Sequence, residues 1–177
     1  GFETDDPYGM DMEGVGLDDE GAWNSPTSLP GARVVRLPSA ARSYDTDPSA
    51  QYAFRQLSYE DRLAYNSGNA LSPKSAGGTI ADQVAGKPTK YVSASASAAG
   101  TERFDSGNGL VKIDVSKAIS GGAGYVEHNN VLQAVQRAFG RNIHFKNAQS
   151  AEEVMFKNGI PREALELIRD GLQWLDN

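Results

Sequence analysis

The run Leu110-Val111-Lys112-Ile113-Asp114-Val115 alternates apolar and polar residues, and such a period of two predicts a half-buried strand. What surrounds it is irregular, and that irregularity constrains the fold most. Ala32 to Leu37 reads as a short strand stopped by Pro38, and Tyr91-Val92-Ser93 as another. Val154-Met155-Phe156 is a third short apolar strand. Between 49 and 66 the spacing of Tyr52, Phe54, Leu57, Leu63 and Tyr65 predicts one or two short helices, with Ser58 as N-cap and Glu60-Asp61 in the first turn. Ala94 to Gly100 is a small-residue segment expected to turn helical. Asn130 is expected to cap a helix carrying Val131, Leu132, Val135 and Phe139, closed by Gly140. Pro161 is placed to open a last helix with the stripe Ala164, Leu165, Ile168, Leu172 and Leu175. Strand and helix do not alternate regularly and no segment repeats, so a doubly wound parallel sheet is disfavoured and the expected class is α+β.

Charge divides the chain. Residues 1–22 hold eight acids and no Lys or Arg, which leaves 15 acids against 17 bases for residues 23–177. Residues 1–31 are therefore expected to be an acidic, flexible leader, and residues 32–177 the folded domain. The body is too weakly basic for charge alone to argue a nucleic-acid partner. No run of about 18 apolar residues is present, so no membrane-spanning segment is expected. Cysteine is absent and the only histidines are His128 and His144, which argues against thiolate zinc sites, thiol nucleophiles and a Ser-His-Asp triad. Ser67 to Pro88, rich in Gly, Ser, Ala and Pro, reads as a long loop of the kind that carries function.

Three pieces bear on chemistry: Arg36 at the end of a strand, Ser93-Ala94-Ser95 after Tyr91-Val92, and Glu153 opening Glu-Val-Met-Phe-Lys-Asn-Gly-Ile-Pro. Alone, each is ordinary. In this order they resemble the cholera-toxin-like mono-ADP-ribosyltransferases, whose signature is an Arg on the first strand, a Ser-Thr-Ser motif on a later strand and a catalytic Glu near the C-terminal end. Val34-Val35-Arg36-Leu37-Pro38-Ser39 looks like the first strand. Tyr91 to Ser95 looks like the Tyr-Val-Ser-Thr-Ser stretch with Ala94 in place of Thr. Glu153-Val154 with Gly159-Ile160-Pro161 looks like the Glu-Val and Gly-Ile-Pro elements, and 67–78 lies where the family has a mobile loop. The likeness covers about residues 32–170.

The resemblance implies two packed antiparallel or mixed sheets forming an NAD+ cleft flanked by helices, with NAD+ as substrate and no metal. Arg36 would clamp the pyrophosphate through paired, charge-assisted hydrogen bonds. Glu153 would stabilise the oxocarbenium-like state reached when the nicotinamide–ribose bond breaks, and Ser93 would hold Glu153. Ser95, Tyr91 and Tyr65 are candidates for contact with NAD+, and His128 and Glu152 for recognition of the target. One departure stands out: Ala151 occupies the position two before the Glu, where members acting on Arg side chains have Glu and several others Gln. The expected acceptor is then a non-Arg protein side chain or a nucleic acid, with NAD+ glycohydrolysis as the alternative and a non-catalytic structural or binding module as a third reading. Asp6-Pro7-Tyr8-Gly9 resembles the Asp-Pro-x-Gly boundary of Rhs-type polymorphic toxins. That likeness implies a secreted warhead acting in the cytoplasm of a rival bacterium, with a cognate immunity protein as partner.

Overall fold

The computed structural model describes residues 51–175, and within them the chain is α+β. Six strands form one antiparallel sheet: β1 (Tyr52–Gln56), β2 (Tyr91–Ser95), β3 (Leu110–Asp114), β4 (Gly124–Val126), β5 (Glu153–Lys157) and β6 (Leu165–Arg169), in the order β4-β5-β2-β1-β3-β6. The resemblance implies two packed sheets, whereas all six described strands belong to one. That sheet has a seam. β2 and β5 pair from Tyr91↔Lys157 to Ser95↔Glu153, and β1 and β3 from Tyr52↔Asp114 to Gln56↔Leu110, but β1 meets β2 only at Phe54↔Ser95. The strands thus fall into two three-stranded ladders joined at one point.

The helices are α1 (Tyr59–Asn66), α2 (Ile80–Val84), α3 (Val115–Ser120), α4 (His128–Phe139) and α5 (Ile143–Ser150), and a 3₁₀ helix spans Ala99–Phe104. Ser58 caps α1 as expected: its hydroxyl accepts from the Asp61 N–H while the Asp61 carboxylate accepts from the Ser58 N–H. Thr79 and Asp82 repeat this reciprocal cap on α2, a helix lying inside the stretch expected to be loop. Residue 71 of that stretch is also tied down, because Leu71 and Ile160 exchange backbone hydrogen bonds of 3.0 and 2.9 Å and both are fully buried.

The two faces of the sheet bury separate cores. On one face Ala53, Leu57, Val92, Val111, Val154 and Phe156 pack together. On the other, Tyr91 and Met155 meet Val131 and Val135 of α4 and Phe145 and Ala148 of α5. The stripe expected on α4 is therefore real at Val131 and Val135, whereas Phe139 is 39% exposed. Fully burying side chains of this size contributes about 1.5–3 kcal/mol each, which fixes α4 and α5 over β2 and β5.

Several expectations are overturned. Residues 52–56 are strand rather than helix, because Ala53 and Leu57 face one core while Phe54 and Gln56 face the other side. Ala94 and Ser95 remain in β2, and the helical turn begins only at Ala99. Val115 leaves β3 to start α3, since the Asp114 carboxylate caps that helix on the Lys117 N–H. The cap of α4 is Glu127 rather than Asn130. No long last helix forms after Pro161; a single 3₁₀ turn, Arg162–Ala164, gives way to β6, and a second turn, Leu172–Trp174, follows. Leu165 and Leu167 instead pair with Ile113 and Val111, covering an edge of β3 that would otherwise leave its backbone groups unpaired.

Candidate active site

The seam between β1 and β2 is where polar side chains converge. The register sets Ser93 opposite Met155 and Ser95 opposite Glu153, so Ser93 and Glu153 are diagonal neighbours on one face. The Ser93 hydroxyl donates to Glu153 Oε2 at 2.5 Å. Ser93 in turn accepts from Gln83 Nε2 of α2 (2.9 Å), and Gln83 Oε1 accepts from the Thr89 hydroxyl (2.6 Å). The main chain of Glu153 is held as well: Nδ1 of His128 donates to its carbonyl oxygen (2.8 Å), which places the ring proton on Nδ1.

The Glu153 carboxyl is held above its ordinary range. Burial is the largest cause, opposed by the Ser93 hydrogen bond and by the positive charges of Arg55 and Arg103. Only Oε2 is engaged by a hydrogen bond among the described residues, so Oε1 is left to accept one from a ligand hydroxyl.

Arg55 stands at the seam itself. Its Nη1 donates to the Ser93 carbonyl oxygen (2.6 Å), and its Nε and Nη2 both reach Asp61 Oδ2 at 2.9 Å. It therefore stitches β1 to β2 where the ladder has lapsed. With five N–H groups in a guanidinium, each Nη retains one that these bonds do not use. Two cavities share this stitch in their linings. The larger, about 560 Å³, is lined by Arg55, Ser93, Ser95, Glu153, Arg103 and Phe104 among others. The smaller, about 180 Å³, shares Arg55, Gln83 and Ser93 and adds Lys74, Lys87 and Thr89.

The turn into β5 is tight. Ala151 ends α5, is buried and lines the larger cavity, and Glu152 takes a positive φ of 49° that is uncommon outside glycine. The Ala151 carbonyl lies against Gly100, where a Cβ would meet its oxygen at 2.6 Å, so only glycine fits there. On the far side of β5, Gly159 has φ 107° and lies against the Leu71 carbonyl.

Of the residues singled out from sequence, Glu153, Ser93 and Ser95 come together on the larger cavity. Tyr91 is a core residue that borders the smaller one. His128 supports the backbone of Glu153. Glu152 is exposed, and its carboxylate accepts from the Ser97 hydroxyl at 3.1 Å, away from Glu153. Tyr65 is spent elsewhere: its hydroxyl accepts from the Leu167 N–H, and the Arg162 guanidinium lies 3.7 Å over its ring. Arg36 lies outside the described residues, as does the strand expected at 32–37. Arg55, Gln83, Thr89 and Arg103 escape the sequence reading. The alternation of Tyr52, Phe54 and Gln56 against Ala53, Arg55 and Leu57 carries a signal for the first, and Thr79-Ile80-Ala81-Asp82 one for the helix bearing Gln83. No family model matches the chain, and no curated protein or solved structure matches it significantly.

Proposed function

We propose that this chain is a mono-ADP-ribosyltransferase that cleaves NAD+ and passes the ADP-ribose to a macromolecule. The observation that carries the reading is the Ser93–Glu153 pair, 2.5 Å apart, on a cavity lined also by Arg55, which a second cavity shares. The two three-stranded ladders are, in this reading, the halves of the NAD+ cleft. Glu153 Oε1 accepts from the ribose 2′-hydroxyl, and the carboxylate stabilises positive charge that develops on the ring as nicotinamide leaves. Among the described residues Arg55 is the arginine bonded to the Ser93 carbonyl, and its remaining N–H groups favour phosphate oxygens where the two cavities share it. The positive side chains of Lys74 and Lys87 border the smaller cavity and favour an anion there too.

Ala151 bears on the acceptor. A methyl group at that position and Glu152 turned to Ser97 offer no carboxylate or amide there for orienting an arginine acceptor. A non-Arg side chain or a nucleic-acid hydroxyl fits better, and the same feature favours water as the alternative acceptor, which makes NAD+ glycohydrolysis the second reading. Delivery as the C-terminal toxin of an Rhs-type protein, with an immunity protein closing the cleft, belongs to the same proposal and is supported by Asp6-Pro7-Tyr8-Gly9 alone.

The test is nicotinamide release from NAD+ by native protein and Glu153→Ala in extract containing protein and RNA. Release that disappears in the variant is expected, with label on a macromolecule for transfer and only free ADP-ribose for glycohydrolysis. No release by folded native protein would overturn the enzyme reading and favour a binding module.

A further inference from the structure

We propose that Gln83, oriented by Thr89, is a positioning residue that fixes the direction of the Ser93–Glu153 hydrogen bond and so presents Glu153 as an anion with one free oxygen. The inference rests on the transferase reading only for its consequence in catalysis. The hydrogen-bond order itself is read from the side chains.

The order follows by elimination. The Thr89 hydroxyl is almost wholly buried and accepts from the Tyr91 N–H at 3.0 Å; its own proton also needs an acceptor, and Gln83 Oε1 at 2.6 Å supplies it. That fixes which end of the Gln83 amide is oxygen, and the NH₂ end then donates to Ser93 Oγ at 2.9 Å. Ser93 is thereby supplied with a donor and sends its single proton to Glu153 Oε2. A neutral Glu153 could still accept at Oε2 with its proton on Oε1, but a carboxylate is the stronger acceptor, so a Ser93 hydroxyl held as donor lowers the cost of the anion. The chain Thr89→Gln83→Ser93→Glu153 therefore favours the carboxylate against the burial that opposes it.

The other groups around Glu153 do not set this direction. Arg55 of β1 and Arg103 of the 3₁₀ helix act on the carboxylate by charge. His128 of α4 bonds the main-chain carbonyl rather than the side chain. Asn147 of α5 borders the cavity and is uncharged, and Glu152 is turned to Ser97. On α2, Asp82 is engaged by the Thr79 cap and by Lys87 at 3.8 Å. Gln83 is the group on that helix that reaches Ser93.

The experiment pairs an NMR titration of ¹³C-labelled Glu153 carboxyl with the pH profile of nicotinamide release, for native protein, Gln83→Leu, Thr89→Val and Thr89→Ser. In Gln83→Leu and Thr89→Val the carboxyl titration and the acid limb of activity should both move to higher pH. Release should fall about tenfold on the acid limb and much less on the plateau above it, the size expected for one charge-assisted bond. Thr89→Ser keeps the hydroxyl and should behave as native. A folded Gln83→Leu whose Glu153 titrates as in native protein, or whose activity falls equally at every pH, would overturn the proposal. Should Gln83→Leu fail to fold, the contrast between Thr89→Val and Thr89→Ser decides it. Should native protein release no nicotinamide, a shifted titration still supports the hydrogen-bond order while the transferase reading fails.

Discussion

Replacing Glu153 with Gln should inactivate the protein and stabilise it at the same time. The native carboxyl is raised by burial, so on raising the pH the unfolded chain gives up its proton first, and folding then carries the cost of a buried charge. Below the ordinary carboxylate range Glu153 is neutral in both states and contributes no such cost. The cost grows as pH rises through that range and is complete once the folded carboxyl has also ionised. The amide in Glu153→Gln would carry no charge at any pH and would still accept from Ser93. It exchanges a charge-assisted bond, about 1.5–3 kcal/mol, for a neutral one of about 1 kcal/mol. Against this it removes the desolvation of a partly buried carboxylate, several kcal/mol for full burial and less here. Burial outweighs the Ser93 bond and both arginines, so the balance favours the variant at neutral pH, and each ~1 kcal/mol of that balance would appear as roughly 4 °C in Tm for a domain of this size. Nicotinamide release should drop by about 10²–10³-fold. Calorimetry of native and Glu153→Gln protein at pH 4 and pH 7.5 reads the first effect. A variant no more stable than native at pH 7.5, or one whose advantage is the same at both pH values, would refute the reasoning that burial dominates at Glu153.

Arg55→Lys should lower nicotinamide release at least tenfold and cost about 1–3 kcal/mol in chemical denaturation, since an ammonium cannot hold Asp61 and the Ser93 carbonyl together. An unaltered midpoint would show that the stitch across the seam is dispensable. Gly100→Ala should displace the Ala151 carbonyl and with it the turn that aims Glu153, visible as lost amide protection at 151–153 and a larger loss in kcat than in KM. Met155→Ala empties a fully buried site between β5 and the helices above it and should cost about 2–5 kcal/mol. Its pH profile should keep the native shape, which separates a packing loss from one at Glu153.

Sequence reasoning reaches furthest where local chemistry and tertiary need agree. The Ser58 cap, the alternation at Leu110–Asp114 and the short apolar β5 each have a side-chain pattern that permits one reading, and the structure keeps them. The failures share a cause. Ala164, Leu165, Ile168, Leu172 and Leu175 satisfy a helical stripe, yet Leu165 and Leu167 also satisfy a period of two, and the open edge of β3 decides between them. Likewise Tyr52 to Gln56 fits a helical spacing until β3 offers five partners in register. A single chain read in order holds no record of which edge lacks a partner.

The same limit explains why Ser93 and Glu153 are legible in the sequence and Gln83, Thr89 and Arg55 are not. A motif places two residues by likeness, but the groups that orient them come from wherever the fold has a gap to fill. Here the gap is the seam. If β1 and β2 paired along their length, backbone groups would satisfy one another and the Ser93 carbonyl would not be available to Arg55. Because pairing lapses after Phe54↔Ser95, a guanidinium can enter, two cavities can open beside it, and an amide from α2 can reach the serine. A substitution that restored regular β1–β2 pairing would strengthen the sheet and remove the candidate site, so the weak point of the sheet and that site are the same feature.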